Sequence, residues 1–194
     1  MQPLSYRPAL ALGVATVLAL GVVAAPTAHA RISGPASCLG PGKDSRGRSS
    51  VDSGEIAWED ESKYDDARRH AHRVWSARGL DRVTFPADDA TRIADLEWSD
   101  VDRTDGAWHK TLGYWDGREG TDVLLMNDAL LARGKYYGTT RFRRAIAAHE
   151  LGHALGFCHK HPSWYATLMA PKVEDMNDGR PSARDRRNYH RLWG

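Results

Sequence analysis

Beyond its first thirty residues, this 194-residue chain has no apolar run long enough to cross a membrane. It has only two cysteines, too few for a small disulfide-built scaffold. It lacks a strong charge of either sign: 27 Lys and Arg stand against 25 Asp and Glu. No long basic stripe with interleaved aromatics appears, so nucleic acid is not an expected partner. Internal repeats and long low-complexity tracts are also missing, which excludes a solenoid and argues against extended disorder. The length suits one domain and hardly two.

The N-terminus differs from the rest. Arg7 is the only charge among residues 1–30, and Ala9 to Ala25 is an uncharged run of Ala, Leu, Val, Gly and one Thr. Pro26 and then Ala28-His29-Ala30 follow. A basic start, an apolar centre and a small-x-small cleavage site read as a secretory signal peptide over residues 1–30. An uncleaved anchor is the plainer alternative, but the run is short and rich in Ala and Gly. No Arg-Arg pair precedes the run, which favours Sec-type export. The expected product is secreted, extracellular, free of the membrane and monomeric. In an oxidising compartment Cys38 and Cys158 read as a disulfide.

Residues 31–53 are rich in Gly, Ser, Pro and Arg and read as an irregular N-terminal arm or short pro-segment. Residues 54–194 are the expected folded domain. Strands are expected at 55–59, 82–85, 91–98 and 122–127, with a short one at 112–115 inside a long polar loop over 99–122. Helices are expected at 61–78, closed by Gly79, at 140–155 with Thr140 as N-cap, and at 182–192. The order implies an α+β or α/β domain.

The richest chemistry lies in HELGHALGFCH, residues 149–159. His149 and His153 are four apart, so a helix puts both imidazoles on one face, one turn apart. Two such nitrogens can share one zinc ion, and a catalytic zinc takes three protein ligands and keeps one position open. Gly156 lets the chain leave the helix with φ > 0, and the turn can return His159 as the third ligand. Glu150 is next to the first ligand and can take a proton from a water activated by the metal. The plainer reading is a core helix with hydrogen-bonded histidines. A bare HExxH arises by chance often enough, but a glycine and a third histidine at fixed offsets do not. Phe142, Ala145 and Ile146 continue the same face, so the metal side should look inward.

HExxHxxGxxH resembles the signature of the metzincin zinc endopeptidases. Ala166-Thr167-Leu168-Met169-Ala170-Pro171, with Met169 ten residues after His159, resembles the Met-turn of the matrixins. The resemblance implies a twisted, mostly parallel sheet with an antiparallel edge strand, an active-site helix, the Met-turn and a C-terminal helix. By position, residues 122–127 would be the edge strand that aligns substrate. It further implies a secreted zinc-dependent endopeptidase with one Zn2+ on His149, His153 and His159, Glu150 as general base, and a peptide or protein substrate. Two rivals remain: a non-catalytic secreted binding protein on the same fold, and a peptidase restricted to cell-wall peptides.

The likeness spans roughly residues 54–194, but only 149–171 carries specific residues. Lys160 follows the third histidine where matrixins usually have Ser, and Ala170 replaces the Tyr of their Met-Tyr-Pro turn. Pro171 stands where astacins and serralysins carry a metal-reaching Tyr. Motifs for a second, structural zinc are not recognisable. The snapalysins are similar in size, but their third ligand is Asp. The subfamily therefore stays open. Pro35 to Gly40 does not match the matrixin cysteine-switch motif, so the disulfide is preferred over a latency thiolate at Cys38. Asp100, Asp102 and Asp105, and then Asp116, Glu119 and Asp122, lack the EF-hand offsets, and Ca2+ stays open without a supporting motif. His70, His72, His109 and His190 have no ligand spacing, and His161 reads as a loop residue. Trp164 and Tyr165 would shape the substrate pocket or pack beneath the Met-turn.

Overall fold

A computed structural model describes residues 43–161, 166–176 and 178–194. The signal-peptide reading, Cys38, Trp164 and Tyr165 lie outside the described residues. The elements in chain order are β1 (Trp58–Asp60), α1 (Asp65–Trp75), β2 (Leu96–Val101), β3 (Gly113–Asp116), β4 (Asp122–Asn127), α2 (Asp128–Leu131), α3 (Thr140–Ala154) and α4 (Ala183–Trp193). Four strands form one open sheet in the order β1-β2-β4-β3. β1 and β4 run parallel to β2, and β3 runs antiparallel to β4. The α+β class and the mostly parallel sheet with an antiparallel edge agree with the sequence reading.

The edge strand, however, is not residues 122–127. β4 pairs with β2 through Leu96↔Asp122 to Val101↔Asn127 and with β3 through Gly113↔Met126 to Asp116↔Val123, so both of its edges are used. β3 is the edge instead. The physical reason is visible in the sequence: Val123-Leu124-Leu125-Met126 is a continuous apolar run, as expected of a strand covered on both faces. Val123, Leu124 and Met126 are buried.

Other boundaries also moved. Residues 82–85 form no named strand. Ile56 N–H donates to Thr84 O (2.9 Å) and Trp58 N–H to Pro86 O (3.0 Å), but Pro86 has no N–H to extend the ladder. α3 starts at Thr140 with Thr139 as its N-cap, whose side chain accepts from Phe142 N–H. α4 has the stronger cap, a reciprocal box between Ser182 and Asp185.

α1 and α3 pack against each other along Ala67, Ala71, Val74 and Trp75 from one and Ala145, Ala148 and Leu151 from the other. Small residues on α3 let the helices approach, and the Trp75 indole N–H donates to Ala148 O at 2.7 Å. Tyr189 of α4 is fully buried, and its hydroxyl accepts the N–H groups of Arg82 and Val83, both at 2.9 Å. The Asn127 side chain organises the long polar loop. It accepts from Arg103 N–H and donates to the carbonyls of Arg103, Trp108 and Thr111, which delivers the chain to β3.

His72 on α1 contacts Trp58, Phe85 and Trp98, with ring centroids 5.1, 5.2 and 5.6 Å away. Its Nε2 is buried with no hydrogen-bond partner among the described residues. Burial, with the Arg68 cation nearby, pushes its pKa down from 6.5 to about 3. Above pH 6.5 both folded and unfolded chains hold it neutral. Below that, the unfolded chain binds a proton that the folded chain refuses, so stability falls as pH drops from 6.5 towards 3. The loss at pH 4 is on the order of 3 kcal/mol. Urea denaturation at pH 7 and pH 4 should show a shallower pH dependence for His72→Phe than for the wild type. An unchanged slope would mean that His72 is not a neutral buried group.

Candidate metal centre

α3 carries His149, Glu150 and His153, all buried. The helix ends one residue after His153. Leu155 is its C-cap and Gly156 takes φ +87, a left-handed conformation that a side chain resists. The chain then turns back through Phe157 and Cys158 and returns His159 to the face that holds the other two histidines. The Nε2 atoms of His149 and His153 are 3.0 Å apart, and each lies 3.1 Å from Nε2 of His159.

The tautomers of the two helical histidines follow from their partners. His149 Nδ1 is 2.7 Å from Leu168 O, and His153 Nδ1 is 2.8 Å from Phe157 O. A carbonyl only accepts, so both Nδ1 atoms carry the proton and both Nε2 atoms present bare lone pairs. Burial pushes His149 down to about 4, holds His153 well below its usual value and lowers His159, so all three favour the neutral form. Neutral nitrogens converging at this distance repel each other unless a cation sits among them. Four-coordinate geometry with metal–nitrogen bonds of 2.0–2.1 Å separates the ligand nitrogens by roughly 3.3 Å. The three histidines therefore fit a metal ion, and they are the only such group of potential ligands among the described residues.

Several acidic residues of the 99–122 region have protein partners. Asp100 accepts from Ser62 Oγ and Lys63 N–H, Asp105 pairs with Arg103, and Asp122 accepts from Ser50 Oγ and Arg118 N–H. His70 meets Gly179 O at 2.7 Å and His109 meets Gly106 O at 2.5 Å.

Three further positions shape the centre and were not read from the sequence. Gly152, inside HELGH, faces the turn that carries Met169. A Cβ there would lie 2.4 Å from Met169 Sδ, so glycine lets the buried Met169 pack directly under the helix. Asp185 of α4 holds that turn, accepting from Thr167 Oγ1 (2.5 Å) and Leu168 N–H (2.9 Å). Leu168 then presents its carbonyl to His149, so Asp185 orients a ligand at one remove. Its capping-box spacing was the only trace in the sequence, and that spacing reads as helix start alone.

Gly113 of β3 is the third. A Cβ there would come within 2.6 Å of Ile146 Cγ2 and 2.8 Å of Glu150 Cγ. Without it, the edge strand lies directly over α3, and Trp115 N–H donates to Glu150 Oε2 at 3.1 Å. Burial pushes the Glu150 carboxyl up to about 8, and this N–H opposes the rise. Glu150 lines the same cleft as the three histidines. Leu112, Gly113 and Tyr114 form one wall, and Pro171, Val173 and Met176 the other. Met169 itself is buried beneath the centre rather than in the cleft, while Pro171 reaches it.

The chain should bind one divalent transition-metal ion. Replacing His153 with Ala should weaken binding by more than roughly 100-fold, read by competition with a chromogenic chelator. Full affinity in that variant would dismantle the three-nitrogen site. The chain matches no protein-family model and no curated protein sequence, so the reading of this centre rests on its own geometry.

Proposed function

We propose that the chain is a secreted zinc-dependent endopeptidase of the metzincin type, closest to matrixins in its motif. One observation carries the reading. Three imidazole nitrogens converge, two of them bare by their tautomer, in a cleft that also holds a buried carboxyl group fixed by a backbone N–H. Three nitrogen ligands and an adjoining cleft favour zinc with one position left to substrate or water. A zinc ion bound there would supply Lewis acidity, lowering the pKa of a water and polarising a scissile carbonyl.

The chain's own residues do the rest. Glu150 accepts the proton of the attacking water and passes it to the leaving amine. Trp115 N–H keeps one carboxylate oxygen fixed. A substrate in extended form would add to the outer edge of β3, which pairs with no further strand among the described residues, gaining main-chain hydrogen bonds beyond the Trp115 N–H that Glu150 takes. That revises the expected docking strand from 122–127 to 113–116, because β4 has no free edge. The carboxyl of Glu150, buried yet lining the same cleft as the three histidines, supports catalysis over a binding role.

Secretion is supported by the pattern of residues 1–30. The Cys38–Cys158 disulfide is supported by the path of the arm: Lys43 O lies 3.1 Å from Cys158 Sγ, five residues after Cys38.

Glu150→Ala should retain the metal and lose hydrolysis of an unfolded protein by roughly 10²–10⁴-fold or more. Wild-type activity in that variant would remove Glu150 from the mechanism. Gly113→Ala should also retain the metal, but lower kcat by about 100-fold by displacing the carboxylate. Chelation should stop hydrolysis, and added zinc should restore it.

A further inference from the structure

The segment 43–50 belongs to the stretch whose composition suggests an irregular arm or short pro-segment. In the fold it runs past the end of α3 and is bonded to the body of the domain at Asp44, Ser45, Arg46 and Ser50. Ser45 N–H donates to Gly156 O (2.9 Å), and Ser50 N–H donates to Ala154 O (2.7 Å). Both acceptors lie where α3 ends and the chain turns towards His159. Gly156 has a second reason to be glycine here, because a Cβ would lie 2.3 Å from Ser45 O. Arg46 donates to Leu192 O and stacks over Trp193, 5.1 Å from its ring centroid, which fastens the segment to α4.

The two ends of the segment reach the two halves of the site. At one end Asp44 Oδ1 accepts from Cys158 N–H at 2.9 Å and from the Lys160 ammonium. These residues flank His159 directly. The Asp44–Lys160 pair is largely buried, at 13% and 11% side-chain exposure, which lifts it out of the class of screened surface pairs. Lys160 N–H also donates to Met169 O at 2.7 Å, so the residue after the third ligand is tied by its backbone to the Met-turn and by its side chain to the arm. At the other end the Ser50 hydroxyl accepts from Trp115 Nε1 (2.9 Å) and donates to Asp122 Oδ2 (2.7 Å). Trp115 is the residue whose N–H holds Glu150.

We infer that residues 43–50 are a strap that positions the metal centre, in which Asp44, through Lys160 and Cys158 N–H, fixes His159 for the metal while Ser50 fixes Trp115 behind Glu150. Asp44 and Lys160 are positioning residues, and neither lines the cleft of the three histidines. Lys160, which departs from the matrixin pattern, thereby gains a role as the counter-ion of the strap. Any removable pro-segment ends before Lys43. The inference rests on the zinc reading above.

The test measures zinc release from the purified full-length holo protein into excess chelator for the wild type, Asp44→Asn, Lys160→Met and the double variant. Each single variant should release zinc about 10–100-fold faster than the wild type. The double variant should be no faster than the quicker single, because both break one contact. Thermal midpoints with and without zinc separate positioning from general stability. The strap predicts that the rise produced by zinc shrinks, whereas a merely structural contact would lower both midpoints equally. If Asp44→Asn does not fold, Lys160→Met reads the same contact with the Cys158–Asp44 bond kept. A wild type that holds zinc, with variants that release it at the same rate, overturns the strap alone. A wild type that takes up no zinc overturns the zinc reading and the strap with it.

Discussion

Two carbonyl groups, Leu168 O and Phe157 O, take the Nδ1 protons of His149 and His153, and much of the site depends on that pair of hydrogen bonds. They leave two unprotonated Nε2 atoms 3.0 Å apart, an arrangement that repels itself without a cation. Neither carbonyl belongs to the body of α3. Phe157 comes from the turn beyond Gly156, and Leu168 from the segment around Met169. The helix must therefore stop where it does, and a segment from farther along the chain must return beneath it. Gly156 meets the first condition with its positive φ, and Gly152 meets the second by leaving room for Met169.

The same economy of space recurs around Glu150. Its buried carboxyl is pushed up to about 8 and meets one backbone donor on β3, a contact possible only because Gly113 has no Cβ. Gly113 and Gly152 thus let the edge strand and the segment around Met169 each come to van der Waals distance of α3, and Gly156 does the same for Ser45. Asp185 and Asp44 act at the next layer out. One fixes the turn that orients His149, and the other fixes the segment that carries His159.

Much of the site was legible before any coordinates. The i, i+4 histidines, the helix-ending glycine and the third histidine sit at fixed offsets within eleven residues, and local geometry suffices to bring them together. The three Nε2 atoms do meet. The fold class was legible from the order of periodic segments. Position along the chain points to the wrong edge strand, whereas the apolar pattern points to the right one. The unbroken apolar run of 123–126 is the mark of a strand covered on both faces, and Gly113-Tyr114-Trp115-Asp116 is the half-exposed edge.

What the sequence by itself determined is the local chemistry: which residues can ligate, which can move a proton and where the helix must end. Each follows from spacing along a single helix and its turn. What only the tertiary structure decided is which distant groups hold those residues in place. Asp185, Gly113, Asp44, Lys160 and Ser50 have no periodic or motif signature that names these partners, because the side-chain hydrogen bonds that support the centre join positions 17 to 116 residues apart. Chain separation of that size is closed by the packing of helices and sheet rather than by any local preference, and so the support of the centre could be read only once the fold was known.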